Sequence, residues 1–305
     1  MTLQLNDKHT LIGKVDHINQ GTTFLNVNVI LEDQKSRNIK LDRVSLEGLH
    51  VGKIYQFETT VEARNDIDLY LQCESYQPIE AILKDDALQT MYETFYTYAP
   101  MPLKDIKTVI ESYMNKITQP TAKAILEDIY EQQKHMFYTH PAATKFHHAY
   151  VGGLAYHTMT MLKVADGFYD VYPYLDQSLM IAGIILHDMS KIHEMTGVDG
   201  EYTKEGLLIG HLVMEAINIE KTYQRLQLKD DETLMLLKHM MLSHHGLPNY
   251  GAAKRPQTPE ALLLWYIDTI DSKFTVLGEE LEKTKPGTFT NQLAVLEKQK
   301  FYKKQ

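Results

Sequence analysis

The adjoining residues His187 and Asp188 carry the side chains of this chain that are best suited to chemistry. Imidazole and carboxylate groups both bind divalent metal ions, and further residues of the same types flank the pair at wide intervals. These further candidate ligands are His157, His211, His244, His245 and Asp268. A ligand set without a thiolate favours a borderline-to-hard ion such as Mn²⁺ or Fe²⁺ over a structural zinc site built on cysteines. The residue types therefore indicate hydrolytic or redox metal chemistry.

The residues before the pair indicate that it is buried. Residues 183–186 form the apolar run Gly-Ile-Ile-Leu. An ionisable pair at the end of a buried run is costly unless it is paired or binds a metal. A histidine taken alone is more often an ordinary core or surface residue, so the prediction of a metal site depends on the whole set.

Length, charge and cysteine content limit the class of protein. The chain has 305 residues, enough for about two domains of roughly 150 residues each. Its formal net charge of -9 gives no overall basic surface, so nucleic-acid binding would need a local patch, stacking or metal-held phosphate. The single Cys73 leaves neither an internal disulfide nor a cysteine zinc motif. Without a signal sequence or a membrane-length apolar run, we expect a soluble cytoplasmic protein.

The first 78 residues have the pattern of a β-rich domain. Within 22–31, the residues Leu25, Val27, Val29 and Leu31 alternate with polar ones, which is the period of a strand. The full set of predicted strands is 10–18, 22–31, 37–42, 53–64 and 67–75. The most helix-like stretch in this region is 45–49. Five short strands in this order predict a barrel of the OB type over residues 1–78.

Barrels of this type commonly bind single-stranded nucleic acid on the face of their second and third strands. The stacking and charged side chains available for this are Phe24, Lys35, Arg37, Lys40, Arg43 and Tyr70. The alternative is that the positive charges form a solvated rim and the aromatic rings belong to the core.

After Pro78 the hydrophobic residues follow helical spacing. The predicted helices are 121–138, 153–169, 176–187, 204–226, 230–243 and 258–277. Within 204–226 an apolar stripe at three-and-four spacing includes Leu207, Leu208 and His211, which predicts that His211 faces the core. We expect 79–140 to be a helical connecting region and 141–305 to be the all-α domain that carries the metal ligands.

The order of the candidate ligands along the chain resembles that of the HD-domain metal-dependent phosphohydrolases, in particular the versions with two metals. The histidine pair in the segment 243–246, Ser-His-His-Gly, separates it from the minimal four-ligand version. The resemblance implies one ion held by His157, His187, Asp188 and Asp268, and a second ion held by His211, His244 and His245 and bridged by Asp188.

The combination of domains resembles a narrower family. A barrel of the OB type before an HD domain, with the segment Lys-Phe-His-His-Ala-Tyr-Val-Gly-Gly-Leu-Ala-Tyr-His at 145–157, is similar to the YhaM family of bacterial 3′-5′ exoribonucleases. The resemblance implies a metal-dependent enzyme that hydrolyses single-stranded RNA, with single-stranded DNA as a second substrate, to nucleoside 5′-monophosphates. It also implies two divalent ions per chain, with Mn²⁺ the first choice and Mg²⁺, Co²⁺ or Fe²⁺ as alternatives.

Individual roles follow from side-chain chemistry. Asp188 is the best candidate to bridge two ions because a carboxylate offers two oxygens and each imidazole offers one free nitrogen. Lys191 could neutralise phosphate or protonate the leaving group as a catalytic residue, or it could be a surface lysine. His147 and His148 could contact phosphate or base, or serve in capping or packing. Asp271 either supports Asp268 or is solvated, and it is not assigned as a ligand.

Three other functions use the same residues. A cyclic-nucleotide or other nucleotide phosphohydrolase of the HD type is one, although the Gly-Tyr-Pro signature of one such family does not follow His245. A di-iron oxygenase on the same scaffold is the second. The third is a nucleic-acid-binding regulator with an inactive HD domain. The aromatic-rich segment 92–98 could pack against another domain or form the contact of a homo-oligomer.

Overall fold

The computed structural model describes residues 3–22, 24–64, 68–144 and 148–305, and for Asp85, Asp86 and Gln89 it describes the backbone only. The chain divides into two compact units. The first unit contains the residues up to Thr97 together with Gly197–Glu201, and the second contains Tyr98–Thr196 and Tyr202–Gln305.

The first unit is built around a closed five-stranded barrel. Its strands are β1 (Lys8–Gln20), β2 (Leu25–Leu31), β3 (Ser36–Lys40), β4 (Ile54–Arg64) and β5 (Asp68–Pro78). They are arranged in the order β1-β2-β3-β5-β4, and β4 pairs with β1 to close the barrel. The β3–β5 pair is parallel, and the other neighbours are antiparallel. The prediction of a five-stranded barrel of the OB type is confirmed.

The alternation seen in the sequence produces the barrel core. Val27 and Val29 of β2 are fully buried, whereas Asn28 between them is partly exposed. Val27 lies opposite Ile39, and Ile39 lies opposite Leu71, so β2, β3 and β5 each supply an inward-facing side chain.

The helix-like stretch 45–49 does not form a helix. The backbone N–H of Leu49 donates to the carbonyl of Leu46 over 3.0 Å, which closes a turn. Gly48 has a φ of 83°, a left-handed conformation that a helix cannot contain. The hydroxyl of Tyr55 donates to the carbonyl of Gly48 over 2.7 Å, and this hydrogen bond stabilises the turn.

Two helices follow the barrel within the first unit, α1 (Ile79–Ile82) and α2 (Asp85–Phe95). The aromatic residues at the end of α2 have partners inside this unit. The hydroxyl of Tyr92 donates to Glu80 over 2.7 Å, and that of Tyr96 donates to the carbonyl of Gly52 over 2.6 Å.

The second unit is helical. Its helices are α3 (Leu103–Met114), α4 (Pro120–Phe137), α5 (Gly153–Tyr169), α6 (Gln177–Leu186), α7 (Lys191–Glu194), α8 (Lys204–Leu208), α9 (His211–Arg225), α10 (Asp231–Ser243) and α11 (Pro259–Lys283). Four of the predicted helices, now α4, α5, α6 and α10, agree with the structure to within one residue at each end. With the barrel, this helical unit confirms the predicted fold class, an OB-type barrel followed by an all-α HD domain. Among the described residues, no helix is both long enough and apolar enough to cross a membrane.

The single helix predicted over 204–226 is wrong. Gly210 adopts a φ of 77° and a ψ of 152°, which separates α8 from α9. Because of this break, Leu207 and Leu208 do not continue the buried stripe, and they are 72% and 75% exposed. His211 begins α9 and is buried, as the stripe predicted for that residue.

Candidate metal centre

All seven candidate ligands lie in the second unit, on five segments. His157 lies in α5 and Asp268 in α11, while His187 and Asp188 follow α6, His211 begins α9, and His244 and His245 follow α10. The helix α6 is buried at every residue from Ser178 to Leu186. Burying this apolar helix takes the histidine-aspartate pair at its end into the core.

The carboxylate of Asp188 lies at the centre of the group. Its Oδ2 is 3.3 Å from Nε2 of His187 and 3.8 Å from Nε2 of His157. Its Oδ1 is 3.2 Å from Nε2 of His211 and 3.8 Å from Nε2 of His244. Each oxygen of this one carboxylate therefore faces a different pair of histidines.

The five histidines share one hydrogen-bonding arrangement. Each ring points its Nδ1 at a carbonyl or carboxylate oxygen, which can only accept, so Nδ1 must carry the proton. The acceptors are Asp271 for His157 at 2.6 Å, Ile184 O for His187 at 2.7 Å, Glu194 for His211 at 2.9 Å, Met241 O for His244 at 2.8 Å and Tyr250 O for His245 at 2.7 Å. In the neutral ring this leaves the lone pair on Nε2, the form in which histidine binds a metal.

Several of the atoms facing Asp188 have no hydrogen-bond partner in the described part of the chain. These buried, unpartnered atoms are Nε2 of His187, His211 and His244, and Oδ1 of Asp188. Buried polar atoms are normally satisfied, and acceptors at about 3.2–3.8 Å repel one another unless a cation lies between them. The residues present therefore fit a divalent metal ion, and they could hold one through imidazole nitrogens and carboxylate oxygens.

The possible ligand atoms form two groups of three on either side of Asp188. His157, His187 and Asp268 make one group, and His211, His244 and His245 make the other, with the ligand atoms of each group within 4.8 Å of one another.

Asp271 supports this arrangement without being solvated. It is 8% exposed, and its Oδ2 accepts from Nδ1 of His157 at 2.6 Å and from Nε2 of His148 at 2.8 Å. The sequence left open whether Asp271 supports Asp268 or is solvated. In the structure, Asp271 instead orients His157, whose Nε2 lies 3.4 Å from Oδ1 of Asp268.

Opposite charges hold the central carboxylate in its ionised form. Burial acts to raise the pKa of Asp188, but the charges of His187 and Lys191 outweigh burial and hold it well below its ordinary value. Burial acts to lower the pKa of Lys191, and the carboxylate of Asp188, 2.7 Å from its Nζ, raises it instead. Lys191 is therefore a cation that is nearly buried beside the proposed ligands.

The two groups of histidines differ in their affinity for protons. Burial acts to lower the pKa of His157, but hydrogen bonds with Asp268 and Asp271 raise it to about 10. For His244, burial and the charges of His245 and His187 lower the pKa well below its ordinary value. The carboxylates that favour a proton on Nε2 of His157 also favour a metal cation at the same atom, so the two compete there.

A cleft of about 480 Å³ opens beside the group. Lys191, Glu194, His211 and His245 line it, and the other lining residues are small, apolar or aromatic, including Tyr202 and Tyr250. This volume is in the range typical of small-molecule sites.

Two supporting features escaped the sequence prediction. Glu194 receives both the backbone N–H and the ring Nδ1–H of His211. In the sequence, the only signal for this role of Glu194 was its position three residues after Lys191. Tyr250 supplies a backbone carbonyl to His245, and a backbone acceptor leaves no mark on residue type.

The barrel residues predicted to bind nucleic acid fall into one cluster and several separate positions. Nζ of Lys40 lies 4.4 Å from the ring centre of Tyr70, whose hydroxyl donates to Glu62 over 2.8 Å. Arg43 lies 2.7 Å from the same Glu62 and 3.2 Å from Glu74. The structure thus brings Lys40, Arg43 and Tyr70 together around acidic partners.

The other three barrel candidates lie apart from this cluster. Phe24 precedes β2 and is 47% exposed. Lys35 precedes β3 and lies 3.1 Å from Asp33. Arg37 is partly exposed and lies opposite the buried Val29 in the β2–β3 pair.

The two histidines predicted to contact substrate have different outcomes. His147 lies outside the described residues. His148 is fully buried, with its Nδ1 2.7 Å from the hydroxyl of Tyr150 and its Nε2 bonded to Asp271. A buried ring bonded through both nitrogens has no atom to offer RNA, so its placement favours support of Asp271.

Fold and site together define the class of this protein. It joins an OB-type barrel to a helical unit of the HD type in which histidines and aspartates lie close enough together to hold a metal ion. No protein-family model matches the chain. Its curated relatives do identify a family.

The relatives carry the name 3′-5′ exoribonuclease YhaM. The chain is 36% identical to the one from Bacillus subtilis (strain 168) over 258 residues, covering 82% of this chain and 79% of the relative. It is 37% identical to the one from Bacillus pumilus (strain SAFR-032), also over 258 residues with the same coverage. For the one from Geobacillus sp. (strain WCH70), 36% identity extends over 288 residues, 93% of this chain and 86% of the relative. The chain belongs to the YhaM family.

Proposed function

We propose that this protein is a metal-dependent 3′-5′ exoribonuclease that hydrolyses single-stranded RNA to nucleoside 5′-monophosphates, with single-stranded DNA as a second substrate. The observation that carries the proposal is the set of unpartnered imidazole nitrogens around Asp188, which suits a phosphodiester-cleaving metal centre. The names of the relatives supply the substrate and the direction of cleavage. They do not favour an oxygenase, a cyclic-nucleotide hydrolase or a regulator.

The proposed cofactor is a pair of divalent ions, with Mn²⁺ the first choice and Mg²⁺, Co²⁺ or Fe²⁺ as alternatives. The first ion is assigned to His157, His187, Asp188 and Asp268, and the second to His211, His244, His245 and Asp188. A mixed set of imidazoles and carboxylates suits a borderline-to-hard ion. When bound, such ions polarise the phosphate and lower the pKa of a water molecule.

Asp188 and Lys191 have the central roles in this proposal. The two oxygens of Asp188 face the two histidine groups separately, at 3.3 Å from His187 and 3.2 Å from His211, which suits a shared ligand. Lys191 keeps its positive charge at the edge of the cleft. From there its ammonium group can contact a phosphate oxygen and give a proton to the leaving 3′ oxygen.

The barrel, residues 1–78, is proposed as the domain that binds single-stranded nucleic acid, joined through 79–140 to the HD domain at 141–305. Asn28 and Asn38 lie opposite each other on β2 and β3, and Asn26 lies opposite Lys40. Asn28, Asn38 and Lys40 alternate with the buried Val27, Val29 and Ile39, so the outer face of β2 and β3 presents two amides and one cation near Tyr70. Such groups suit a strand bound without sequence preference. We also propose that the protein is cytoplasmic and that it can form homo-oligomers.

The direct test is digestion of a single-stranded RNA labelled at its 5′ end, with Mn²⁺ and with a chelator. We expect shortening from the 3′ end, release of nucleoside 5′-monophosphates, and no reaction in the chelator. A matched RNA with a blocked 3′ end should resist digestion. Equal cleavage of blocked and free RNA would contradict the proposed direction.

A further inference from the structure

The cleft beside the metal centre has two chemically different parts. One part carries ionisable side chains, those of Lys191, Glu194, His211 and His245. The other part is formed by Tyr202, Leu207, Leu208, Ile209, Val213 and Tyr250. A phosphate suits the first part because it carries Lys191 and the proposed ligands, whereas the second offers only apolar surface and two phenol rings.

The apolar part is unusually exposed. Leu207 and Leu208 are 72% and 75% exposed, and Tyr250 is 64% exposed. Large apolar side chains gathered on one exposed surface commonly mark a binding site. Here they surround a concave site that already contains the proposed catalytic group, which points to the substrate itself as their partner.

Tyr250 is fixed relative to the metal centre. Its backbone carbonyl accepts from Nδ1 of His245 over 2.7 Å, and it is followed by Gly251 with a φ of 95°. The turn therefore holds the backbone of Tyr250 beside a proposed metal ligand, and the ring of Tyr250 lines the cleft. This bond uses the backbone, so the side chain is free to take part in binding.

We infer that Tyr250, together with Tyr202 and the side chains of Leu207 and Leu208, binds the 3′-terminal nucleobase of RNA by stacking and apolar contact. Lys191 and the histidine end of the cleft bind the adjoining phosphodiester. This inference rests on the proposed function and adds a base-binding site within the helical unit, at residues other than the barrel side chains and the His147 and His148 that the sequence had suggested as contacts.

The chemistry of the lining predicts tolerance of all four bases. Recognition of one base requires paired donors and acceptors such as those of Asn, Gln or Arg. Among the described lining residues of the apolar part, the tyrosine hydroxyls are the only polar side-chain groups. Every base has a face that can stack on a tyrosine, so the site suits an enzyme that removes nucleotides in succession.

The test compares the Tyr250→Ala, Tyr250→Phe and wild-type proteins on two RNAs. One RNA ends in an ordinary 3′ nucleotide, and the other ends in a nucleotide that lacks its base. Tyr174→Ala serves as the matched control, since Tyr174 is 68% exposed and lies outside the cleft. Manganese content is measured for each protein.

For the ordinary RNA we expect Tyr250→Ala to raise KM about tenfold and to leave kcat within about twofold, because stacking binds substrate and transition state alike. Tyr250→Phe keeps the ring and should match the wild type. On the RNA without the terminal base, the effect of Tyr250→Ala should fall below about twofold. Tyr174→Ala and the manganese content of all variants should not change.

Two results would overturn the inference. One is a Tyr250→Ala protein with the KM of the wild type on the ordinary RNA. The other is an equal rise in KM on both RNAs, since that would show that the ring does not act on the base. A wild-type protein that releases no nucleotides from either RNA would instead refute the proposed function.

Discussion

Replacing Asp271 by asparagine tests whether the buried network behind the proposed ligands sets metal affinity. The carboxylate accepts from His157 over 2.6 Å and from His148 over 2.8 Å. Asp271→Asn keeps the shape and an acceptor oxygen, and it removes the negative charge. We expect manganese to bind more weakly and the protein to remain folded.

The size of the loss follows from the type of bond. A hydrogen bond to a charged group contributes about 1.5–3 kcal/mol, and about 1.4 kcal/mol is a factor of ten in affinity. The loss should therefore be about 10- to 100-fold, as is usual for groups that orient a metal-binding histidine. The same substitution weakens the competing proton on Nε2 of His157, whose pKa the carboxylates raise to about 10. A divalent ion carries twice the charge of a proton, so the loss in metal affinity is the larger effect.

Isothermal titration calorimetry with Mn²⁺ at one fixed pH measures the change. Asp170→Asn is the matched control, because Asp170 is an exposed aspartate at the end of the same helix as His157. Activity of the Asp271→Asn protein should return toward the wild-type value when Mn²⁺ is raised well above the new Kd. An unchanged Kd, or a lost activity that excess metal does not restore, would refute the reasoning.

Two further substitutions probe Lys191 and Glu215. Lys191→Met should lower kcat on RNA about 100- to 1000-fold at saturating Mn²⁺, since it removes a cation that lies on the cleft. The metal content should not fall. A decrease in kcat below tenfold would rule out a catalytic role for Lys191. Burial raises the pKa of Glu215 from 4.5 to about 7, against the opposing hydrogen bond from Ser190. The protonated carboxyl therefore stabilises the folded protein fully below pH 4.5. About 3 kcal/mol of this stability is lost as the pH rises to 7. In urea unfolding, Glu215→Gln should gain stability relative to the wild type between pH 5 and pH 8, and a constant difference across this range would contradict the raised pKa.

The elements with simple periodicity were predictable from the sequence. Val27 and Val29 alternate with polar residues, and the pattern of β2 follows directly. The helix α6 lies within one residue of its prediction because an unbroken apolar run is flanked by Asp176, whose side chain accepts from the N–H of Leu179. Local residue types were enough in these cases because burial and capping depend on near neighbours.

The break at Gly210 was not predictable from periodicity. Leu207, Leu208 and His211 keep helical spacing across it, yet the backbone turns at Gly210 and exposes both leucines. A glycine inside a helical pattern is compatible with a continuous helix or with a break, and tertiary packing decides between the two.

The candidate ligands were predicted from their types and order, but their supports were not. Backbone carbonyls such as that of Met241 orient the rings, and any residue type supplies a carbonyl. Asp271 was noticed in the sequence, but its bond to His157 joins residues that are 114 positions apart. The exposed ring of Tyr250 on the cleft likewise depends on the tertiary arrangement.

The most direct test of the proposed centre is a Mn²⁺ titration followed by calorimetry and electron paramagnetic resonance, on the wild-type protein and on Asp188→Asn. Because each oxygen of Asp188 faces a separate histidine group, we expect two ions per wild-type chain and a spectrum of two magnetically coupled ions. Asp188→Asn should lose the coupled spectrum and at least one ion. A wild-type chain that binds a single, uncoupled Mn²⁺ would contradict a two-metal centre bridged by Asp188.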